Sequence, residues 1–243
     1  MSDSKETGMR LNKYVAHAGL GSRRKAADWV KAGKVKVNGK VEINPAYVVQ
    51  VNDVVLFDDM EITPQKNRVY ILMNKPKNTI TTMNDEKGRT TVMDILKGKI
   101  KERIFPVGRL DRDTVGLLLL TNDGDLAKKL THPSHEVAKV YEAVLDKALA
   151  DKDFEKIKKG LQLEDGPAAV DWINFPDQKN KKIVRLEIHI GRNRIVRRIF
   201  QHVGYTVEKL DRIYFAGLTK KDLSRGYWRH LRQEEIRMLK HFT

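Results

Sequence analysis

The stretch that most restricts what this chain can fold into is VGRLDRDTVGLLLLTNDGD, residues 107 to 125. Its four consecutive leucines, Leu117 to Leu120, form a short apolar run closed by the turn signal Asn122, Asp123 and Gly124. Such a run reads as a strand buried on both faces. Immediately before it stand Arg109, Asp111, Arg112 and Asp113, charges held at the mouth of a rigid core element, where chemistry is usually placed. Asp111 lies between two arginines in sequence. Should they also flank it in space, its carboxylate stays ionised and is poised as a nucleophile or a base. Charge pattern alone favours the plainer reading, a solvated turn with helix-capping aspartates.

The chain around this stretch is 243 residues long with 40% hydrophobic content, room for one ordinary domain, a small one and a real core. It has no cysteine, which excludes disulfides, thiolate zinc sites and cysteine nucleophiles and suits a reducing cytoplasm. Lys and Arg number 47 against 32 for Asp and Glu, a net charge of +15. That excess attracts polyanions, with nucleic acid the leading partner and affinity falling as salt rises. The N-terminal MSDSKETG is polar, and no stretch approaches the roughly 20 apolar residues that span a bilayer. The expectation is a cytoplasmic protein with no membrane partner and a disordered tail over residues 1 to 8.

From Arg10 the pattern sharpens. Leu11, Tyr14, Val15 and Ala18 recur at helical spacing until Gly19 and Gly21 break the helix, and Ser22 is a good N-cap for a second helix ending at Gly33. Asn38-Gly39 is a strong hairpin signal between Val35/Val37 and Val41/Ile43, and Val54 to Phe57 complete a small sheet. Between Arg10 and Lys40, Asp28 is the sole acid among Arg10, Lys13, Arg23, Arg24, Lys25, Lys31, Lys34, Lys36 and Lys40. A charge run is commonly a solvated face, but this one falls on two helices and the adjoining hairpin and is able to present one surface to a phosphate backbone. Residues 59 to 67 lose periodicity and contain Pro64, which marks a linker. Its acidic neighbours Asp58, Asp59 and Glu61 are expected to face away from a nucleic acid.

The second unit opens with the apolar run Val69 to Met73 and the turn Asn74, Lys75, Pro76. A short helix follows at Val92 to Leu96, then a strand at Ile104 to Val107 that delivers the chain to the central loop. Beyond the leucines a helix carries Leu126, Ala127 and Leu130. His132 and His135 flank Pro133 with no further ligand nearby, too few for a metal site. Val137 to Leu145 reads as a strand with Lys139, Tyr141, Ala143 and Leu145 on one face. Tyr141 there is most simply core packing. After a strand at Ile183 to Ile190 comes GRNRIVRRIFQHVG. With Asn193 as cap, Ile195, Val196, Ile199, Phe200 and Val203 form one helical stripe, leaving Arg194, Arg197, Arg198 and Gln201 for solvent, RNA or an acid. The segments LDRIYFAGL and LSRGYWRHL look like closing strands, followed by a helix from Gln233.

The stretch GRLDRDTVGLLLLTNDG resembles the signature of the pseudouridine synthases that modify small- and large-subunit rRNA, in which the Asp of GRLD, here Asp111, is catalytic. Val115 stands where that family usually has a small or polar residue. RLNKYVAHAGLGSRRKAADWVKAGKVKVNGK resembles the S4 RNA-binding domain, which implies Arg10, Lys13, Arg23, Arg24 and Lys25 as RNA contacts. The NKP motif is similar to the family's opening of its catalytic domain, with Asn78 in place of a Gly; Asn tolerates positive φ, so the turn survives. KVYEAVL matches the basic-x-Tyr motif, so by resemblance Tyr141 stacks on the target base and takes part in proton removal. GRNRIVRRIF resembles GRNRQVRRM, which implies that Arg197 pairs with the catalytic Asp, while Ile195 replaces the usual Gln. Arg109, Arg192, Arg194 and Arg198 complete the implied RNA-binding set.

In family order, these motifs cover nearly all of the chain. They imply an α+β protein: an S4 (αL) domain at residues 9–58, a linker at 59–67, and a catalytic domain at 68–243 with a mixed, mainly antiparallel sheet flanked by helices. The implied reaction breaks the bond from ribose C1′ to uracil N1, rotates the base and rejoins it through C5. It needs one carboxylate, a pocket for the freed uracil and a base for the C5 proton, and no cofactor or metal. The implied partner is ribosomal RNA, 23S in a free or partly assembled subunit, with the chain acting as a monomer; 16S rRNA is the alternative target. Two rivals stand beside it. One is a non-catalytic RNA-binding ribosome assembly factor. The other is a glycosidase using Asp111 with Asp113 or Asp125, whose neutral substrates leave the +15 charge unexplained.

Overall fold

The structure, a computed structural model, describes residues 8–241. The tail expected at residues 1 to 8 lies outside them except for Gly8. The chain forms two compact units, one holding residues up to Arg68 together with Lys101–Arg103, the other Val69–Ile100 and the chain from Ile104 onward. No helix among the described residues is long and apolar enough to cross a membrane.

In the first unit, helices Leu11–His17 and Arg23–Lys31 pack over a small sheet, burying Leu11, Val15, Ala26, Val30, Val35 and Val55. Ser22 caps the second helix by accepting a hydrogen bond from Lys25 N at 3.2 Å. Asn38 and Gly39 take φ of +52° and +78°, the paired positive values that a two-residue hairpin turn requires. They join Val35–Val37 to Lys40–Val41. Two features depart from the sequence reading. Met60–Glu61 pairs with Val55–Phe57, so the sheet runs into the segment read as linker, and Gln65 N donates to His17 O at 2.8 Å. The acidic cluster does not turn away from the basic hairpin: Asp59 meets Lys36 at 2.5 Å and Asp58 meets Lys34 at 3.8 Å, because sheet pairing brings opposite charges alongside each other.

The second unit is built on a nine-stranded sheet. Its main path runs Trp172–Asn174, Ile183–Ile188, Lys139–Leu145, Val207–Phe215, Thr114–Thr121, Tyr70–Lys75, Trp228–His230. Neighbours on this path are antiparallel except Val207–Phe215 against Thr114–Thr121, which run parallel. This is the mixed, mainly antiparallel sheet expected. Thr114–Thr121, the leucine strand, sends Leu118 and Leu120 into one apolar core and Leu117 and Leu119 into another, the two-residue alternation of a strand covered on both faces. Helices Asp151–Lys159 and Ile195–His202 cover the first face through Ile157 and Ile199; Gly124–Thr131 and Gln233–His241 cover the second through Leu130 and Leu239.

Val207–Phe215 was expected as a closing strand and is instead central, wedged between Lys139–Leu145 and the leucine strand. Gly116 makes this possible. Its φ is +107°, and a Cβ there would lie 2.3 Å from Arg212 O and 2.4 Å from Asp211 Oδ1. Two backbones therefore approach where no side chain fits.

Candidate active site

The loop from Gly108 to Asp113 leaves the strand Phe105–Pro106 and enters the leucine strand, and it is pinned at several points. Thr81 Oγ1 donates to Leu110 O at 2.8 Å and accepts from Leu110 N at 3.2 Å. Asn78, at φ +63°, donates its N–H to Arg112 O at 2.9 Å, so the substituted turn performs the left-handed geometry that a Gly would. Lys75 Nζ, fully buried at the end of its strand, donates to Thr114 O at 2.8 Å and to Pro76 O at 3.1 Å. A loop anchored from below in this way holds its side chains in fixed directions.

Asp111 projects from that loop with about a third of its side chain exposed, 34%. Among the described residues neither sequence neighbour, Arg109 or Arg112, forms an ion pair with its carboxylate, although Arg109 lines the same cavity. The cation in ion-pair contact with that carboxylate among the described residues is Arg194, whose Nη1 lies 3.4 Å from Asp111 Oδ2 and 3.4 Å from Asp113 Oδ1. The pairing expected between Arg197 and Asp111 is corrected: Arg197 Nη2 meets Asp113 Oδ2 at 2.9 Å while its Nη1 donates to Val207 O at 2.5 Å. That backbone tether directs the guanidinium to the second aspartate. Burial works against the charge on Asp113, but hydrogen bonding from Arg194 and the charge of Arg197 outweigh it and hold its carboxyl below the usual range. Burial also lowers the Arg197 pKa, opposed mainly by Asp113.

Arg194 reaches two carboxylates because of where its helix begins. The N-cap of Ile195–His202 is Arg194 itself, in the left-handed conformation at φ +47°, and not Asn193 as expected. A non-Gly residue held there stores strain and throws its side chain off the helix axis toward the loop. The apolar stripe is as expected, with Ile195, Val196, Ile199 and Phe200 buried.

Asp111, Tyr141, Arg109, Arg192 and Arg194 line one cavity of about 230 Å³, floored by Leu110, Ile195 and Leu210. Tyr141 is nearly buried on strand Lys139–Leu145, packed with the first core, and still forms a wall of this cavity. Two of the arginines expected on RNA are engaged within the protein. Arg192 Nη1 and Arg198 Nη1 each lie 2.8 Å from a carboxylate oxygen of Asp165, and Arg192 also donates to the carbonyls of Asp165, Gly166 and Pro167. They clamp the hairpin Leu161–Leu163/Gly166–Ala168, an element that the sequence reading missed. In the first unit Arg10, Arg23, Arg24 and Lys25 are exposed and Lys13 is half-buried; Lys25 Nζ sits 5.1 Å from the Trp29 ring.

The family model for RNA pseudouridylate synthase matches residues 69–202, more than half of the chain. The chain belongs to the RNA pseudouridylate synthase family. It is an isomerase acting on RNA, and the S4 domain model matches residues 9–55 in front of the catalytic unit. Among relatives, a "Ribosomal large subunit pseudouridine synthase B" from Bacillus subtilis is 43% identical over 235 residues, covering 95% of each chain. A protein of the same name from Escherichia coli is 38% identical over 91% of this chain and 79% of its own. A solved structure titled "Crystal structure of pseudouridylate synthase" is 27% identical with a TM-score of 0.69, covering 96% of this chain and all (100%) of that one.

For an RNA pseudouridine synthase this site holds groups that the sequence reading passed over. Burial pulls the pKa of Lys75 from 10.5 down to about 8, against the opposing charges of Asp111 and Asp113. Its signal was a lone Lys closing an apolar run, read simply as a turn. Thr114 lines the cavity, and its hydroxyl is buried without a partner. Of possible metal ligands among the described residues, Asp171, Glu187 and His189 bring their ligand atoms within 4.8 Å of one another, while His132 is bonded to Ser134 Oγ at 2.7 Å.

Proposed function

We propose that this enzyme converts a uridine of ribosomal RNA, in the 23S molecule, to pseudouridine, with Asp111 as the catalytic carboxylate. The observation that carries the reading is that Asp111 and Tyr141, 30 positions apart in sequence, share one cavity with Arg194 at 3.4 Å from the acid. Asp111 begins glycosidic cleavage, either by attack at C1′ or by removal of the C2′ proton, and the uracil N1–C1′ bond breaks. The freed base turns within the cavity, C5 bonds to C1′, the C5 proton leaves and N1 gains one, so the product is an isomer of the substrate. Tyr141 supplies an aromatic wall, worth about 1–3 kcal/mol for a stacked base, and takes part in removal of the C5 proton. Arg194 keeps the acid oriented, and Arg197 does so indirectly by fixing Asp113. The target leaves the RNA stack to enter, held by Arg109 and by the basic helices of the S4 unit.

The 23S assignment rests on the relatives named for the large subunit, while the +15 charge suits an RNA polyanion of either kind. Pseudouridine mapping of rRNA from cells lacking this protein tests it. One 23S site should revert to uridine and be restored by wild type and not by Asp111→Asn. Reversion in 16S rRNA instead would move the target, and no reversion in either would favour an assembly factor without turnover.

A further inference from the structure

Tyr141 lines a second cavity of about 460 Å³, larger than the one holding Asp111, and no carboxylate stands in its walls. That volume lies in the range of sites that take small organic molecules, roughly 300–1,000 Å³. Its surface divides into an apolar part, Leu130, Ile190 and Phe215, and a cationic part, Lys139, Arg192 and Arg212. Arg192 is already held by Asp165 and His189 is paired with Asp171, so Lys139 and Arg212 are the cations left to it; an apolar patch beside them is complementary to a base joined to a phosphate.

Several of its polar groups have capacity to spare. Arg212 is buried, donates Nε to Leu117 O at 2.8 Å and lies 4.6 Å over the Phe215 ring, yet its Nη2 has no partner. Lys139 Nζ donates to Val137 O at 2.6 Å and His189 O at 2.8 Å, leaving one of its three N–H groups. Burial and the nearby Arg212 hold its pKa down to about 8, against Asp171, a charge cost that an entering anion relieves. His189 is tied through Nδ1 to Asp171 Oδ2 at 2.7 Å, so its Nε2 edge is the one left for the cavity.

We propose that this cavity receives the nucleotide adjoining the target uridine, its phosphate on Lys139 and Arg212 and its base against Phe215, Leu130 and Ile190. The proposal rests on reading the Asp111 cavity as the uridine pocket. Tyr141 lines both cavities, so the two unstacked bases lie next to one another along it. The enzyme thereby selects a uridine by its neighbour as well as by its own edge.

The test is a coupling measurement on the full chain. Its probe is a heptanucleotide RNA with one uridine among cytidines, alongside versions carrying an abasic residue on the 5′ or the 3′ flank, bound at equilibrium. One flank's abasic replacement should weaken wild-type binding about tenfold, and should cost less than twofold in Ile190→Trp, which fills the cavity. Ile190→Phe, a smaller change of volume, should show the same loss of coupling if the Trp variant does not fold. Equal penalties in wild type and both variants, or no penalty on either flank, would overturn the proposal. Binding is read without turnover, so the two readings fail separately. An abasic residue in place of the uridine that costs nothing, with flank coupling intact, would strike the uridine pocket alone.

Discussion

Arg194 and Arg197 stand three positions apart at the start of one helix and carry different burdens. Arg197 is 11% exposed and joins Asp113 to the Val207 carbonyl, whereas Arg194 is 44% exposed and joins Asp111 to Asp113 across solvent. Arg197→Ala should therefore cost about 2–3 kcal/mol of unfolding free energy, chiefly by emptying the space of a nearly buried side chain and leaving the Val207 carbonyl without its donor. Arg194→Ala should stay within about 1 kcal/mol of wild type and yet slow single-turnover isomerisation more than tenfold. Urea denaturation and single-turnover rates separate the two; a stability loss from Arg194→Ala as large as that from Arg197→Ala would contradict this division. Lys75 adds a pH dependence. Its pKa is about 8 in the fold and 10.5 when free, so between these values the unfolded chain binds more protons and stability climbs as pH rises. Below about pH 8 the full cost of burying the cation is present, on the order of 3 kcal/mol. Lys139, also near 8, adds in the same sense. Urea midpoints from pH 7.5 to 10 should rise in wild type and rise less in Lys75→Met; a flat wild-type profile would refute the buried charge.

At the scale of elements, the active loop depends on one parallel pairing. Gly116 sits at φ +107° against the Arg212 backbone, so Gly116→Ala should part the leucine strand from Val207–Phe215 and cost upward of about 3 kcal/mol. A denaturation midpoint within experimental scatter of wild type would show that the sheet tolerates the added carbon. The leucine strand itself was readable because two-sided burial leaves a local mark, an unbroken apolar run ended by Asn-Asp-Gly. The Asn38-Gly39 hairpin and the Ser22 cap were readable for the same reason, since turn and cap chemistry act within a few residues. The central place of Val207–Phe215 was not, because it is decided by a glycine about 90 positions away in the chain. The cavity shared by Asp111 and Tyr141 followed from motif resemblance, while the identity of each arginine's partner did not. A left-handed Arg194 and a carbonyl acceptor on Val207 leave no pattern in sequence, and neither does the Asp165 hairpin that engages Arg192 and Arg198.

The whole molecule joins a basic RNA-binding unit to an isomerase unit, and its +15 charge is felt by any polyanion before contact. Arg23, Arg24 and Lys25 are exposed on the first turn of one helix in the S4 unit. Replacing all of them by Glu should weaken rRNA binding and flatten the plot of log affinity against log salt by roughly 0.7–0.9 for each phosphate that is no longer neutralised. An unchanged slope would remove that helix from the interface. The central claim concerns chemistry in the other unit, and release of tritium from uracil C5 of unmodified rRNA measures it most directly. Wild type should release label in proportion to the uridine converted, and Asp111→Asn should bind the same RNA with little loss of affinity and release none. Release by Asp111→Asn at the wild-type rate would contradict the account.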